Sequence, residues 1–126
     1  MKKVFLILLV LAGCARDSAK TAEAPLVGPA EFESLIQPEA ILLDVRTPEE
    51  FQRGYIEGAI NLNYKAGDFA ERIDSLDRSK TYLVYCASGV RSGKASNMMK
   101  EKGFTSVTLL DGGIQAWMEA DRPIKK

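Results

Sequence analysis

The 126-residue chain contains no histidine, and this absence excludes several kinds of active site. Cysteine–histidine proteases, serine–histidine–aspartate hydrolases and zinc sites built on histidine all need the missing imidazole. The two cysteines lie 72 positions apart and are too few for a four-ligand metal cluster. We therefore expect neither a metal ion nor an organic cofactor. Acid–base chemistry would have to come from carboxylates, basic side chains, tyrosines, backbone groups or water.

The chain also has no excess of either charge, since 17 basic residues balance 17 acidic ones. A nucleic-acid-binding domain would need a basic face, so we expect no nucleic-acid partner. Apolar residues make up 46% of the chain, which is ordinary for a globular protein. A chain of this length has room for one domain with a buried core.

No apolar run is long enough to span a bilayer, but a short one lies near the start of the chain. Lys2 and Lys3 give the chain a positive start, and the apolar stretch 4–12 after them is about half of the roughly 20 residues that a membrane helix needs. This pattern is typical of a signal peptide. The run ends in Leu11-Ala12-Gly13-Cys14, which resembles the lipobox of bacterial lipoproteins. The resemblance implies removal of residues 1–13 and a lipid anchor, with palmitate as one of its acyl chains, on Cys14.

The segment 14–25 between this anchor and the folded part is polar and rich in alanine, as expected of a flexible stalk. We therefore expect the protein in the bacterial cell envelope. In a Gram-negative host, Ala15 after the lipidated cysteine favours the outer membrane, facing the periplasm. Two alternatives stay open: an ordinary signal peptide that happens to contain a cysteine, and a disulfide between Cys14 and Cys86.

Short apolar runs alternate with helical patterns over residues 26–122, and a tail follows at 123–126. The runs at 41–45, 60–63, 81–85 and 107–110 predict strands. Helices are predicted at 30–36, 68–76, 92–102 and 114–120, with a short helix from the capping sequence at 47–50 to Gly54. This alternation predicts an α/β fold with a mostly parallel sheet. Ligands of such sheets bind beyond the carboxyl ends of the strands, which indicates the loops after Val45, Tyr85 and Leu110.

The strand at 81–85 is followed by a loop that enters a helix: Cys86-Ala87-Ser88-Gly89-Val90-Arg91-Ser92. Backbone N–H groups and the positive end of a helix dipole at such a junction stabilise a thiolate, and they lower the pKa of a thiol from about 8.5. Gly89 permits the tight turn that directs successive amides to one point, and Arg91 adds a cation suited to an oxyanion. The segment predicts an ionised, reachable sulfur on Cys86. The alternative is a small buried core cysteine.

The pattern Cys-x-x-Gly-x-Arg-Ser at 86–92 resembles the active-site loop of rhodanese-like single-domain sulfurtransferases, in which the cysteine carries a persulfide. The segments 44–51, 54–61 and 111–117 are similar to the family's Asp-Val-Arg, Gly-His-Ile-x-Gly-Ala-x-Asn and Gly-Gly-x-x-Ala-Trp segments. The matches span about residues 26–122. They imply a central, mostly parallel five-stranded sheet flanked by helices. Tyr55 stands where the family usually has histidine, and we expect this to affect support of the loop more than the chemistry.

The resemblance also implies a reaction by two half-steps. The Cys86 sulfur would take sulfane sulfur from a donor anion such as thiosulfate or a persulfide, and then pass it to a thiol, to cyanide or to an envelope protein. Arg91 and the loop amides would bind the donor. Arg46 is expected to pair with Glu50 or a neighbouring carboxylate, and Asp44 either to orient the loop or Arg91 or to cap its strand.

Two other functions stay open. A persulfide carrier or redox-sensing module would need the same reactive cysteine without steady turnover. Cysteine-dependent phosphatases and arsenate reductases use a similar loop, but their pattern is Cys-x5-Arg, whereas residues 86–91 form Cys-x4-Arg. The shorter loop suits one sulfur better than a phosphoryl group, and no acid that would protonate a leaving oxygen is evident.

Overall fold

A computed structural model describes residues 23–126 of the chain. The predicted signal peptide, the lipidation of Cys14 and most of the stalk lie outside these residues and stay predictions. None of the helices between residues 23 and 126 has the length and the apolar character needed to cross a membrane.

Strands and helices alternate along the described part of the chain. The strands are β1 (Leu26–Val27), β2 (Ala40–Asp44), β3 (Ile60–Asn61), β4 (Thr81–Tyr85) and β5 (Ser106–Leu110). The helices are α1 (Pro29–Leu35), α2 (Pro48–Gln52), α3 (Phe69–Asp74), α4 (Val90–Glu101) and α5 (Gly113–Glu119). The strands form one five-stranded sheet in the order β1-β5-β4-β2-β3, and each neighbouring pair is parallel. The predicted α/β fold with a five-stranded, helix-flanked sheet is confirmed.

Strand β4 lies at the centre of the sheet and is buried on both faces. Tyr82 and Val84 join the core cluster on one face, and Leu83 and Tyr85 join the cluster on the other. This alternation follows from the two-residue period of a strand. Because helices cover both faces of a parallel sheet, the residues that point to either face of β4 are buried, and they form a continuous buried run in the sequence.

Most predicted bounds differ from the observed ones by one or two residues, and two differences bear on the sheet and the site. β1 was not predicted, because a two-residue edge strand carries no periodic pattern; it is recognisable only from its pairing with β5. Helix α4 begins at Val90 rather than Ser92. Gly89, with φ of 122°, precedes it and turns the chain early enough to place Arg91 in the first helical turn.

Residues 123–125 pack against the domain that precedes them. The indole Nε1 of Trp117 donates to the Pro123 carbonyl at 2.8 Å. Lys125 and Tyr55 form an isolated antiparallel bridge, with N···O distances of 2.7 and 2.9 Å between their backbones. These contacts tie the end of the chain to the segment between α2 and β3.

Candidate active site

The carboxyl ends of β2, β4 and β5 lie next to one another in the sheet. The loop after β4 carries Cys86, and its backbone meets the start of α5, because Ile114 N donates to the Cys86 carbonyl at 2.9 Å. The first turn of α4, which continues this loop, meets α2 through an ion pair between Arg91 and Glu50. The three loops that the sequence predicted at the ligand-binding edge therefore come together there.

The sulfur of Cys86 contacts polar groups of the loop and of the first turn of α4. Gly89 N donates to Sγ at 3.0 Å, and the Ser92 hydroxyl oxygen lies 3.5 Å from Sγ. Burial raises the pKa of Cys86, but hydrogen bonds from the Ser92 side chain and from the amides of Ser92, Gly89 and Ser88 outweigh it, so the pKa lies below the ordinary thiol value. The loop is thus built to hold a negative charge on the sulfur.

The expectation of a reachable sulfur is wrong for this conformation, because Cys86 is only 1% exposed. Cys86 belongs to a buried core cluster, whereas Ser88 and Val90 of the same loop face solvent. Amides that stabilise a thiolate have to lie close to the sulfur. The same groups that favour ionisation of Cys86 therefore limit the access of a donor to it. Attack on any donor requires a movement that uncovers Sγ.

Arg91 does not project freely into the loop but forms a two-pronged ion pair with Glu50. Nη1 donates to Oε1 at 2.7 Å and Nη2 to Oε2 at 3.0 Å. The hydrogen bond from Arg91 is the main cause that lowers the pKa of Glu50 to about 2, so this carboxylate is ionised at any pH near neutral. Glu50 is itself held in the predicted capping box of α2, where it accepts from Thr47 N at 3.0 Å.

Asp44 and Arg46 form a second, deeper ion pair. Both are buried, and the Asp44 carboxylate accepts from Nε and from Nη2 of Arg46, the latter at 2.7 Å. Nη2 also donates to the Gly54 carbonyl at 2.6 Å. Arg46 was predicted to pair with Glu50 or with a neighbouring carboxylate, and its partner is the neighbouring carboxylate of Asp44. Asp44 therefore orients Arg46 and not Arg91, which pairs with Glu50.

Two groups that support the site were not singled out from the sequence. The Asn61 amide donates to the carbonyls of Asp44 and Arg46, at 3.0 and 2.9 Å, and so holds the loop after β2. Gly113 lies against the carbonyls of Cys86 and Ala87, where a Cβ atom would overlap both. The available signal is the glycine pair at 112–113, which enters the sequence prediction only as part of the segment that resembles the family's Gly-Gly-x-x-Ala-Trp ending.

A family model described as the Rhodanese-like domain matches residues 28–120 of the chain. The chain belongs to the rhodanese-like family. Among its relatives, thiosulfate sulfurtransferase 16 of Arabidopsis thaliana is 42% identical over 93 residues, covering 66% of this chain and 78% of that protein. The tRNA uridine(34) hydroxylase of Cytophaga hutchinsonii is 38% identical over 90 residues, covering 68% of this chain but 29% of that protein.

Solved structures agree with this assignment. A rhodanese-related protein from Thermoplasma volcanium superposes with a TM-score of 0.72 at 32% identity, over 80% of this chain and 97% of that one. The family relationship and the sulfurtransferases among the relatives support sulfurtransferase activity as the family reaction.

Tyr55 departs from the histidine that the sequence resemblance led us to expect in this rhodanese-like domain. Its ring stacks on Phe51, with centroids 4.2 Å apart, and its backbone pairs with Lys125. These contacts place Tyr55 between α2 and the C-terminal residues, in a packing role.

Among residues 23–126, no cluster of acidic or sulfur ligands could hold a metal ion.

Proposed function

We propose that the protein transfers sulfane sulfur from a small donor to a nucleophilic acceptor through a persulfide on Cys86. The observation that carries the proposal is the thiol whose pKa is lowered by a ring of amides and the Ser92 hydroxyl. A thiolate is the nucleophilic form of cysteine, and the same donors would stabilise the anionic outer sulfur of a persulfide.

The two half-reactions balance without a cofactor. With thiosulfate, the Cys86 thiolate attacks the outer sulfur, the sulfur–sulfur bond of the donor breaks with its electron pair on sulfite, and Cys86 keeps the sulfane sulfur as a persulfide anion. An acceptor thiolate then attacks the outer sulfur and leaves as a persulfide, which regenerates the Cys86 thiolate. Cyanide in the same role leaves as thiocyanate.

The test is sulfur loading of the full chain, measured as intact mass after incubation with thiosulfate, polysulfide or glutathione persulfide. We expect a gain of one sulfur atom from at least one donor, located by peptide mapping at Cys86, and its loss on adding cyanide or a thiol. The folded protein should also be alkylated by iodoacetamide near neutral pH, since the loop has to open. A thiol that takes up neither sulfur nor iodoacetamide until the protein unfolds would contradict the proposal.

A persulfide carrier is the second candidate, and the burial of Cys86 is the observation that favours it. A buried sulfur suits release to a docked protein partner, which could open the site, better than release to small molecules. The same experiment separates the two functions. Loading followed by turnover with cyanide or small thiols indicates an enzyme, and loading without release indicates a carrier.

We further propose that Cys14 carries a lipid anchor that holds the domain in the bacterial cell envelope, on the periplasmic side of the outer membrane if the host is Gram-negative. Support comes from the short apolar run and from Leu11-Ala12-Gly13-Cys14 at its end. Several acyl chains on one cysteine hold a protein firmly on a membrane. In a bacterial host, we expect Cys14→Ser to abolish incorporation of labelled palmitate and to move the protein out of the membrane fraction. Labelling that persists in this variant would refute the anchor.

A further inference from the structure

The ion pair between Glu50 and Arg91 joins α2 to the first turn of α4, the helix that follows the Cys86 loop. The two residues lie 41 positions apart, and the side chains of Arg91 and Glu50 are 18% and 24% exposed, respectively, so water screens the pair only in part. The hydrogen bond to Glu50 is the main cause that raises the pKa of Arg91, and the charge of the Cys86 thiolate raises it as well. The guanidinium is therefore within electrostatic reach of the reacting sulfur.

Arg91 is the only charged residue in the loop 86–92, so an anionic donor has no other cation there to approach. Both prongs of its guanidinium already bind a carboxylate. To bind Arg91, a dianion such as thiosulfate has to compete with the Glu50 carboxylate, which belongs to the same molecule and is always nearby. It also experiences the charge of Glu50, which is not protonated near neutral pH.

We infer that Glu50 determines donor specificity, by withholding Arg91 from dianionic donors and favouring persulfides of low charge. The inference rests on the proposed sulfur transfer through Cys86 and deepens it. A suitable donor is an alkyl persulfide without other ionisable groups, such as 2-hydroxyethyl persulfide. The Cys86 thiolate attacks its outer sulfur, the donor sulfur–sulfur bond breaks, and the alkyl thiolate leaves while the proton stays on the new Cys86 persulfide or passes to solvent.

The test compares kcat/KM of Glu50→Gln with that of the wild type, with thiosulfate and with 2-hydroxyethyl persulfide as donors. Glutamine keeps a carbonyl oxygen that can accept from Thr47 N and from one prong of Arg91, so the capping of α2 is retained while the charge and the second prong are lost. Glu49→Gln is the matched control, because it removes the same charge from an exposed neighbour in the same helical turn. Thermal unfolding followed by the fluorescence of Trp117, the single tryptophan, checks that each variant folds.

We expect Glu50→Gln to raise kcat/KM for thiosulfate about fivefold and to change kcat/KM for 2-hydroxyethyl persulfide less than about twofold, as loss of one partly screened charge would do. Glu49→Gln should leave the ratio of kcat/KM for thiosulfate to kcat/KM for 2-hydroxyethyl persulfide as it is in the wild type. A parallel fall with both donors would overturn the inference, because it would mean that Glu50 only positions Arg91. An unchanged ratio would overturn it as well.

The wild type provides a second measurement that needs no variant. We expect its kcat/KM for 2-hydroxyethyl persulfide to exceed that for thiosulfate, and the opposite order would overturn the inference while leaving sulfur transfer itself intact. If the wild type loads sulfur from neither donor, the proposed function fails and the inference fails with it. The two failures are therefore distinguishable.

Discussion

Cys86→Ser is expected to lower kcat/KM for sulfur transfer at least about 10³-fold with every donor, and to abolish the gain of sulfur in intact mass. A hydroxyl is a much weaker acid than a thiol, so the donors that lower the pKa of Cys86 leave a serine at this position largely protonated. Serine also cannot form the sulfur–sulfur bond of a persulfide. The measurement is steady-state transfer to cyanide together with mass spectrometry.

The fold should survive this substitution, which separates chemistry from stability. Serine is smaller than cysteine, and its oxygen can still accept from Gly89 N. Because this oxygen keeps a polar partner, the substitution should change the free energy of unfolding by about 1 kcal/mol or less. Cys14→Ser is the matched control, since it makes the same replacement at the other cysteine and should leave transfer unchanged. Transfer by Cys86→Ser within tenfold of the wild type would show that the sulfur does not pass through this residue.

Gly113→Ala is expected to lower kcat/KM about 10²-fold through displacement of the Cys86 loop. The added methyl group would lie within 2.5 Å of the Cys86 carbonyl oxygen and would overlap the Ala87 carbonyl too, so the loop or the start of α5 has to move. The hydrogen bonds from Ile114 N to the Cys86 carbonyl and from Gln115 N to the Ala87 carbonyl hold this junction in place. A displacement of the order of 1 Å in an active site can cost a factor of this size.

The variant should also be less stable, because Gly113 has φ of 64°, which costs a residue with a side chain about 1–2 kcal/mol. Gly58→Ala is the control for that cost. Gly58 has φ of 93°, and a Cβ there would meet no atom within 4 Å. We expect Gly58→Ala to lose stability in urea unfolding while retaining activity. Equal activity in the two variants would show that Gly113 does not position the loop.

Much of the fold could be predicted from local patterns. The run of apolar and aromatic residues at 81–85 predicted strand β4, and Thr47 with Glu50 predicted the capping box that starts α2. The junction of β4 and α4 predicted a cysteine surrounded by amides. Each of these features depends on residues within a few positions of one another, where periodicity, capping preferences and backbone conformation operate.

The sequence by itself therefore determined the α/β fold and the loop that carries Cys86. Only the tertiary structure decided that Glu50 holds Arg91, that Asp44 holds Arg46, and that the sulfur is covered. Several carboxylates could have paired with either arginine, and the choice depends on which strand ends lie side by side in the order β1-β5-β4-β2-β3. The packing of Gly113 on the Cys86 loop has the same origin, because residues distant in sequence come into contact only after the parallel strands have aligned.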